Sequence, residues 1–148
     1  MKGYKKILVP LDGSETSEAI LPEIEKLASA FEASICLLYV VPTPFFPGSM
    51  EPIVQYETIT EAFTKGGEAY LRKIEKRLKE KGFTVEGLLQ HGNEAQHILE
   101  QCDQVDIDLI AMSTHGRSGV RRWLLGSVTE KVVRHATKPI LLVRSAHK

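Results

Sequence analysis

Apolar residues gather in five short runs, at 7–11, 35–41, 85–89, 107–112 and 140–143. Most of the runs do not alternate with polar residues. Unbroken runs of this length are the pattern of strands covered on both faces, and such strands belong to parallel sheets. The intervening stretches carry a different period. Ile20, Ile24, Leu27, Ala28 and Phe31 recur at spacings of three and four, so they share one face of a helix that Ser14 or Ser17 can cap. Pro22 inside this pattern removes a backbone hydrogen bond, and is expected to kink the helix unless the helix starts as late as Ser17.

Leu71, Ile74 and Leu78 form the stripe of a second helix ending near Gly82, with Arg72, Lys73, Lys76, Arg77, Lys79 and Lys81 on its solvated faces. Asn93 opens a third, with Gln96 as a reciprocal cap and Ile98, Leu99 and Cys102 inward. Ser127 opens a fourth, with Glu130 at the capping-box position and Val128, Val132, Val133 and Ala136 inward. The order strand, helix, strand repeated along the chain predicts an α/β fold. Its form is an open five-stranded parallel sheet in a doubly wound three-layer α/β/α sandwich, one domain over residues 1–148.

Composition narrows the function classes. The 148 residues hold 19 Lys plus Arg against 19 Asp plus Glu, which makes no case for a nucleic-acid partner. The longest apolar stretch, 35–41, is far shorter than the roughly 18 residues a membrane span requires. Residues 7–11 are too few for a signal-peptide core, so the expected compartment is the cytoplasm. Cys36 and Cys102 have no CxxC spacing and read as buried reduced thiols. The neutral total is a cancellation. Residues 109–148 hold 8 basic residues and 1 acidic, a net of plus 7, and residues 1–108 carry the opposite excess. A neutral chain therefore concentrates positive charge in its last quarter.

That quarter also holds the candidate chemistry. Two connections are longer than a tight turn requires, 42–60 and 113–126, and both leave the carboxyl ends of predicted strands, where open doubly wound sheets bind ligands. The second contains Met112-Ser113-Thr114-His115-Gly116-Arg117-Ser118-Gly119 and then Gly126-Ser127-Val128-Thr129, with Arg117, Arg121 and Arg122 adding positive potential. Glycines that allow close backbone approach, hydroxyls and a helix N-terminus together make a phosphate site by composition. The plainer reading is that Gly116 and Gly119 shape a loop and Ser127 caps its own helix. Neither GxxxxGK[ST] nor a GxGxxG after the first strand is present, which argues against a P-loop NTPase or a dinucleotide dehydrogenase.

Gly116, nine residues, then Gly126-Ser127 resembles the second half of the G-x2-G-x9-G-[ST] ATP-binding motif of the universal stress proteins. Lys5-Lys6-Ile7-Leu8-Val9-Pro10-Leu11-Asp12-Gly13-Ser14 is similar to that family's first strand and turn, Gly92-Asn93-Glu94-Ala95 to its third helix start, and Lys138-Pro139-Ile140-Leu141-Leu142-Val143 to its last strand. The resemblance covers nearly the whole chain except residues 42–60. It implies ATP, with Mg²⁺ or Mn²⁺, at Pro10, Leu11, Asp12, Val40, Met112, Ser113, Thr114, His115, Gly116, Arg117, Ser118, Gly119, Gly126, Ser127, Val128 and Thr129. Pro10, Asp12 and Val40 would border base and ribose. The remaining loops would wrap ribose and phosphates, with Asp12 beside the divalent ion. Ser113 departs from the motif, whose first glycine it replaces. If that position requires a positive φ, nucleotide affinity should fall.

The resemblance also implies a homodimer through the last strand, residues Ile140–Val143, whose open edge a symmetry mate can pair. His115 has no neighbouring carboxylate in sequence to orient it as a base, and the other histidines lack metal-ligand spacing. The expected activity is a nucleotide-dependent stress-response module acting on an unidentified protein partner, with no catalytic residue assigned. The alternatives are a slow ATP-hydrolysing enzyme of the adenine-nucleotide hydrolase type, or a nucleotide-free member that acts as an interaction protein.

Overall fold

The computed structural model describes residues 3–43, 53–104, 106–115 and 125–145, with side chains from residue 56 onward in the segment that begins at 53. The elements are β1 (Lys6–Leu11), α1 (Glu15–Glu18), α2 (Leu21–Phe31), β2 (Ser34–Val41), α3 (Ile53–Glu80), β3 (Val85–His91), α4 (Glu94–Cys102), β4 (Leu109–Ser113), α5 (Ser127–His135) and β5 (Ile140–Val143). Among the described residues the strands form one five-stranded sheet, ordered β3-β2-β1-β4-β5, with every pairing parallel.

The unbroken apolar runs follow from burial on both faces. Ile7, Val9 and Leu11 of β1 and Ile35 and Leu37 of β2 pack with Ile24 and Ala28 of α2 and Leu71, Ile74 and Leu78 of α3. Leu8, Cys36, Leu38 and Ile110 point the other way, onto Ile98 and Cys102 of α4 and Val132 of α5. Strand order reverses between β1 and β4, so a crevice opens at their carboxyl ends.

Local differences from the sequence reading have identifiable causes. Pro22 kinks nothing: the helical stretch breaks after the short α1, and Pro22 falls in the first turn of α2, where its missing N–H would have no intrahelical partner. The connection expected over 42–60 is shorter, because α3 already begins at Ile53. Only the later half of α3 carries a buried stripe, while Phe63 in the earlier half is 50% exposed, so apolar spacing could not reveal that half. Helix growth from a packed segment is cheap once the first turn exists. Val133, expected inward, is 42% exposed on the flank of α5, beyond the buried pair Thr129 and Val132. β4 starts at Leu109, although Ile107 before it is buried.

Asn93 does cap α4, its Oδ1 accepting from the Gln96 backbone N–H at 2.9 Å. The Gln96 side chain turns outward to Glu100 and does not return the bond. Both cysteines are free and buried, and burial, with the Glu86 charge second, pushes the Cys36 thiol up to about 12.

Candidate functional site

The site begins where β1 ends. Gly13 takes a φ of 88°, a left-handed conformation that turns the chain sharply after Asp12. Asp12 Oδ1 accepts from the Ser14 N–H at 2.9 Å and from Ser14 Oγ at 2.5 Å. Ser14 Oγ in turn accepts from the Ser17 N–H at 3.1 Å and so caps α1. Ser17 Oγ donates back to the Ser14 carbonyl at 2.9 Å.

From α1 the network crosses to β4. Ser113 Oγ donates to the Ser17 carbonyl at 3.0 Å, a buried contact between residues 96 positions apart in the chain. Thr129 Oγ1, in the first turn of α5, donates to the Ser113 carbonyl at 3.1 Å. The Gly126 N–H donates to the Thr114 carbonyl at 3.0 Å, anchoring the entry to α5 on the end of β4. Among the described residues, Glu32 is the only non-glycine with positive φ. Ser113 therefore sits in ordinary backbone, and the strain that a serine in place of the motif's glycine could have caused is absent.

α5 does not start as its sequence suggests. Its N-cap is Gly126, with extended backbone (φ −62°, ψ 155°) and no side-chain cap, and Ser127 is the first helical residue. Glu130 does not complete a capping box; its carboxylate binds Arg134 at 2.9 Å. Among the described residues no side chain caps the first N–H groups of α5, and they carry the positive end of the helix dipole. Ser127 is exposed and its hydroxyl makes no hydrogen bond among the described residues.

These pieces enclose a cleft of about 200 Å³ lined by Pro10, Leu11, Asp12, Ser17, Glu94, Met112, Ser113, His115, Gly126, Ser127, Val128 and Thr129. Glu94, Ser127 and Val128 also border a neighbouring depression of about 440 Å³ that includes Gly92, Asn93 and Lys131. The structure therefore brings together ten of the residues expected at the site. Val40 is not among those lining the cleft; it lies 4% exposed in the core shared with α4 and α5. The Thr114 hydroxyl lies beside His115 Nδ1 at 3.2 Å and accepts from the Ser145 N–H at 3.2 Å. Gly116, Arg117, Ser118 and Gly119 lie outside the described residues, as do Arg121 and Arg122.

Three contributors escaped the sequence reading. Ser17 read only as a possible cap, and Glu94 only as part of a helix start. Ser145, just past β5, has no role in the sequence reading, yet it is 4% exposed, with its Oγ 3.4 Å from the carbonyls of both Thr16 and His115. A bond between residue 145 and residue 16 has no signal in linear spacing. Further back, Tyr70 of α3 donates to Glu18 at 2.9 Å, bracing α1 from behind; burial first, then this bond, holds the Tyr70 hydroxyl well above its ordinary pKa.

Comparison with known proteins places this geometry in context. The model of the universal stress protein family matches residues 3–144. The universal stress protein MJ0531 of Methanocaldococcus jannaschii is 34% identical over 145 residues, covering 98% of this chain and 85% of that protein. The solved structure of MJ0577 from the same organism superposes with a TM-score of 0.86 at 28% identity, covering 98% of this chain and 99% of that one. A universal stress protein in complex with cAMP aligns with a TM-score of 0.68 at 25% identity, over 98% of this chain and all (100%) of the other.

Proposed function

The chain belongs to the universal stress protein family, and from that premise we propose that the cleft at the ends of β1 and β4 binds an adenine nucleotide, ATP foremost. The observation that carries the proposal is the start of α5: a buried glycine N-cap and, among the described residues, N–H groups that no side chain caps and a Ser127 hydroxyl that makes no hydrogen bond, with Gly126 and Ser127 both lining the cleft. Such a terminus is a ready anion site. The other hydroxyls on the wall already donate within the protein: Ser17 to Ser14, Ser113 to Ser17 and Thr129 to Ser113. The phosphates would therefore rest on α5 rather than across the whole cleft. Pro10, Leu11, Met112 and Val128 supply apolar wall for a flat base. The cAMP complex of a related protein supports an adenine-containing ligand.

Mg²⁺ fits as a companion of the nucleotide. Among the described residues no group of three or more His, Cys, Asp or Glu converges to hold a metal, and Asp12 has one carboxylate oxygen already engaged by Ser14. An ion that keeps most of its waters and takes phosphate oxygens needs no more than one such carboxylate. When bound it would supply charge neutralisation at the phosphates.

The protein acts, in this reading, as a cytoplasmic stress-response module whose nucleotide state alters its contacts. It pairs as a homodimer along β5, all four of whose residues remain partly exposed in the single chain. Calorimetry with Mg-ATP, together with a multiple-turnover ATPase assay, tests it. Saturable binding with little turnover is the expected result. Absence of heat and of any thermal shift would remove the nucleotide reading, since a ligand at about 100 times its Kd stabilises by roughly 2.7 kcal/mol. Turnover on the order of 1 per second would replace the module with an enzyme.

A further inference from the structure

We propose that the β3 edge is a two-fold interface with a second copy of this chain, in which the two β3 strands pair antiparallel and the two α3 helices lie side by side above them. This is the edge of the sheet opposite β5, and it shares no residue with the nucleotide cleft.

α3 shows different sides to different neighbours. Gly67, Leu71, Ile74 and Leu78 face the sheet. Tyr70 and Arg77 reach Glu18 of α1, and Lys81 reaches Glu25 of α2. The flank turned away from α1 and α2 carries Glu61, Lys65, Glu68, Arg72, Glu75 and Lys79, spaced alternately four and three residues apart and so aligned as one ridge. That ridge stands over β3, because a Cβ on Gly87 would lie 2.9 Å from Glu75 Oε1. Its charges alternate in sign. Laid antiparallel on a copy of itself about Tyr70, the ridge sets Glu61 against Lys79, Lys65 against Glu75 and Glu68 against Arg72, each pair occurring twice. Within one chain Lys65 binds Glu61 at 3.3 Å and Arg72 binds Glu75 at 3.1 Å, whereas Glu68 makes no ion pair among the described residues. Pairs inside the helix account for alternating charge, but not for where the centre of the ridge falls.

β3 supplies an independent centre. Among the described residues it is an end strand, and an unpaired edge of this kind is a template for another strand. The Thr84 carbonyl and the Gly92 N–H bond to β2, so residues 84, 86, 88, 90 and 92 point there, and Val85, Gly87 and Leu89 turn their backbone groups outward. Antiparallel pairing over the full strand, Val85–His91, centres on Leu88 and sets Gly87 opposite the second copy's Leu89, both with outward N–H and C=O. Leu89 lies where a Cβ on Gly67 would meet it, and Gly87 faces Leu71 and Glu75. Leu88 between them is thus level with Tyr70, the centre of the ridge. The lateral spacing agrees. α3 packs on both β2 and β3, and paired strands are about 4.8 Å apart, so the two α3 axes would run about 10 Å apart, the distance of packed helices. One two-fold axis therefore satisfies strand and helix together.

Sedimentation equilibrium at low salt tests the interface on the full chain, unsubstituted and as Glu68→Arg and Arg72→Glu. Both positions are exposed, so both variants should fold, and circular dichroism checks this. The unsubstituted protein is expected to associate, and each variant to do so roughly tenfold more weakly, because the two-fold makes every substitution count twice and each exposed ion pair is worth a factor of a few. Mixed in equal amounts, the two variants should regain the lost association, since in the mixed pair an arginine meets a glutamate at both places. Glu61→Lys and Lys79→Glu form a second complementary pair and should behave alike. About 0.5 M salt should weaken the association of the unsubstituted protein. Pairing through β5 is untouched by these substitutions and sets a baseline common to all samples. Variants that associate as the unsubstituted protein does, or mixtures no stronger than their components, would overturn the proposal.

Discussion

Two adjacent glycines in α3 should respond in opposite directions to the same substitution. Gly66 is exposed, and a Cβ placed on it would meet nothing within 4 Å. Gly67 is buried: its Cβ would lie 2.6 Å from Cε1 and 2.9 Å from Cδ1 of Tyr39, and 3.3 Å from Cδ1 of Leu89. The Tyr39 ring cannot simply swing away, because it packs on Tyr70 with centroids 5.8 Å apart. Alanine gains about 0.8–1.0 kcal/mol over glycine in a helix interior, and this gain is common to both sites. Only Gly67→Ala adds an overpacking cost, about 1–3 kcal/mol. Gly66→Ala should therefore stabilise by nearly 1 kcal/mol, and Gly67→Ala should be neutral to about 2 kcal/mol destabilising. The gap between the variants, about 1–3 kcal/mol, isolates the close seat of α3 on β2. Urea denaturation of both variants measures it, and the same gap should appear as several degrees in thermal midpoint, at roughly 2–4 °C per kcal/mol. Equal stabilisation by both substitutions would refute the reasoning, because it would mean that α3 does not approach Tyr39 as described.

Other outcomes follow from the same contacts. Ser127→Ala should weaken ATP binding severalfold yet leave stability within about 0.5 kcal/mol, since Ser127 is not the cap of α5, whereas Asn93→Ala should cost about 1 kcal/mol at α4; chemical denaturation separates the two. Lys6 Nζ lies 2.6 Å from Glu86 and 2.9 Å from Asp106, bonds that raise its pKa from 10.5. A raised folded-state pKa means that this stabilisation is fully present below pH 10.5 and is lost as pH climbs beyond it, so Lys6→Met should flatten the alkaline fall in the denaturation midpoint. Both cysteines should resist a thiol reagent at pH 8 in the native protein and react once it is unfolded; fast native labelling would contradict the burial of Cys36 at 1% and Cys102 at 0% exposure.

Much of the architecture was legible because burial imposes a period. Ile7–Leu11 and Ile35–Val41 are apolar without alternation, which only a doubly covered strand requires, and Ile98 and Cys102 mark one face of α4. The first half of α3 was illegible for the opposite reason: Phe63 and Tyr56 face solvent, so no stripe declares the helix. At the site, Asp12, Gly126 and Ser127 could be found because turn and helix-terminus chemistry is local. The role of Ser127 was misread because Ser-x-x-Glu fits a capping box as well as it fits a first helical turn, and only the extended backbone of Gly126 decides between them.

The sequence by itself determined which segments become strands, where the glycine-bearing turns fall, and which family the chain joins, since each depends on neighbours in the chain or on a pattern repeated along it. Tertiary structure decided what the hydroxyls do. The hydroxyls of Ser113, Thr129 and Ser145 reach partners 16 to 129 residues away. A hydroxyl proton can serve only one strong acceptor at a time, so which groups remain available to a ligand emerges only when β1, α1, β4 and α5 meet at one end of the sheet.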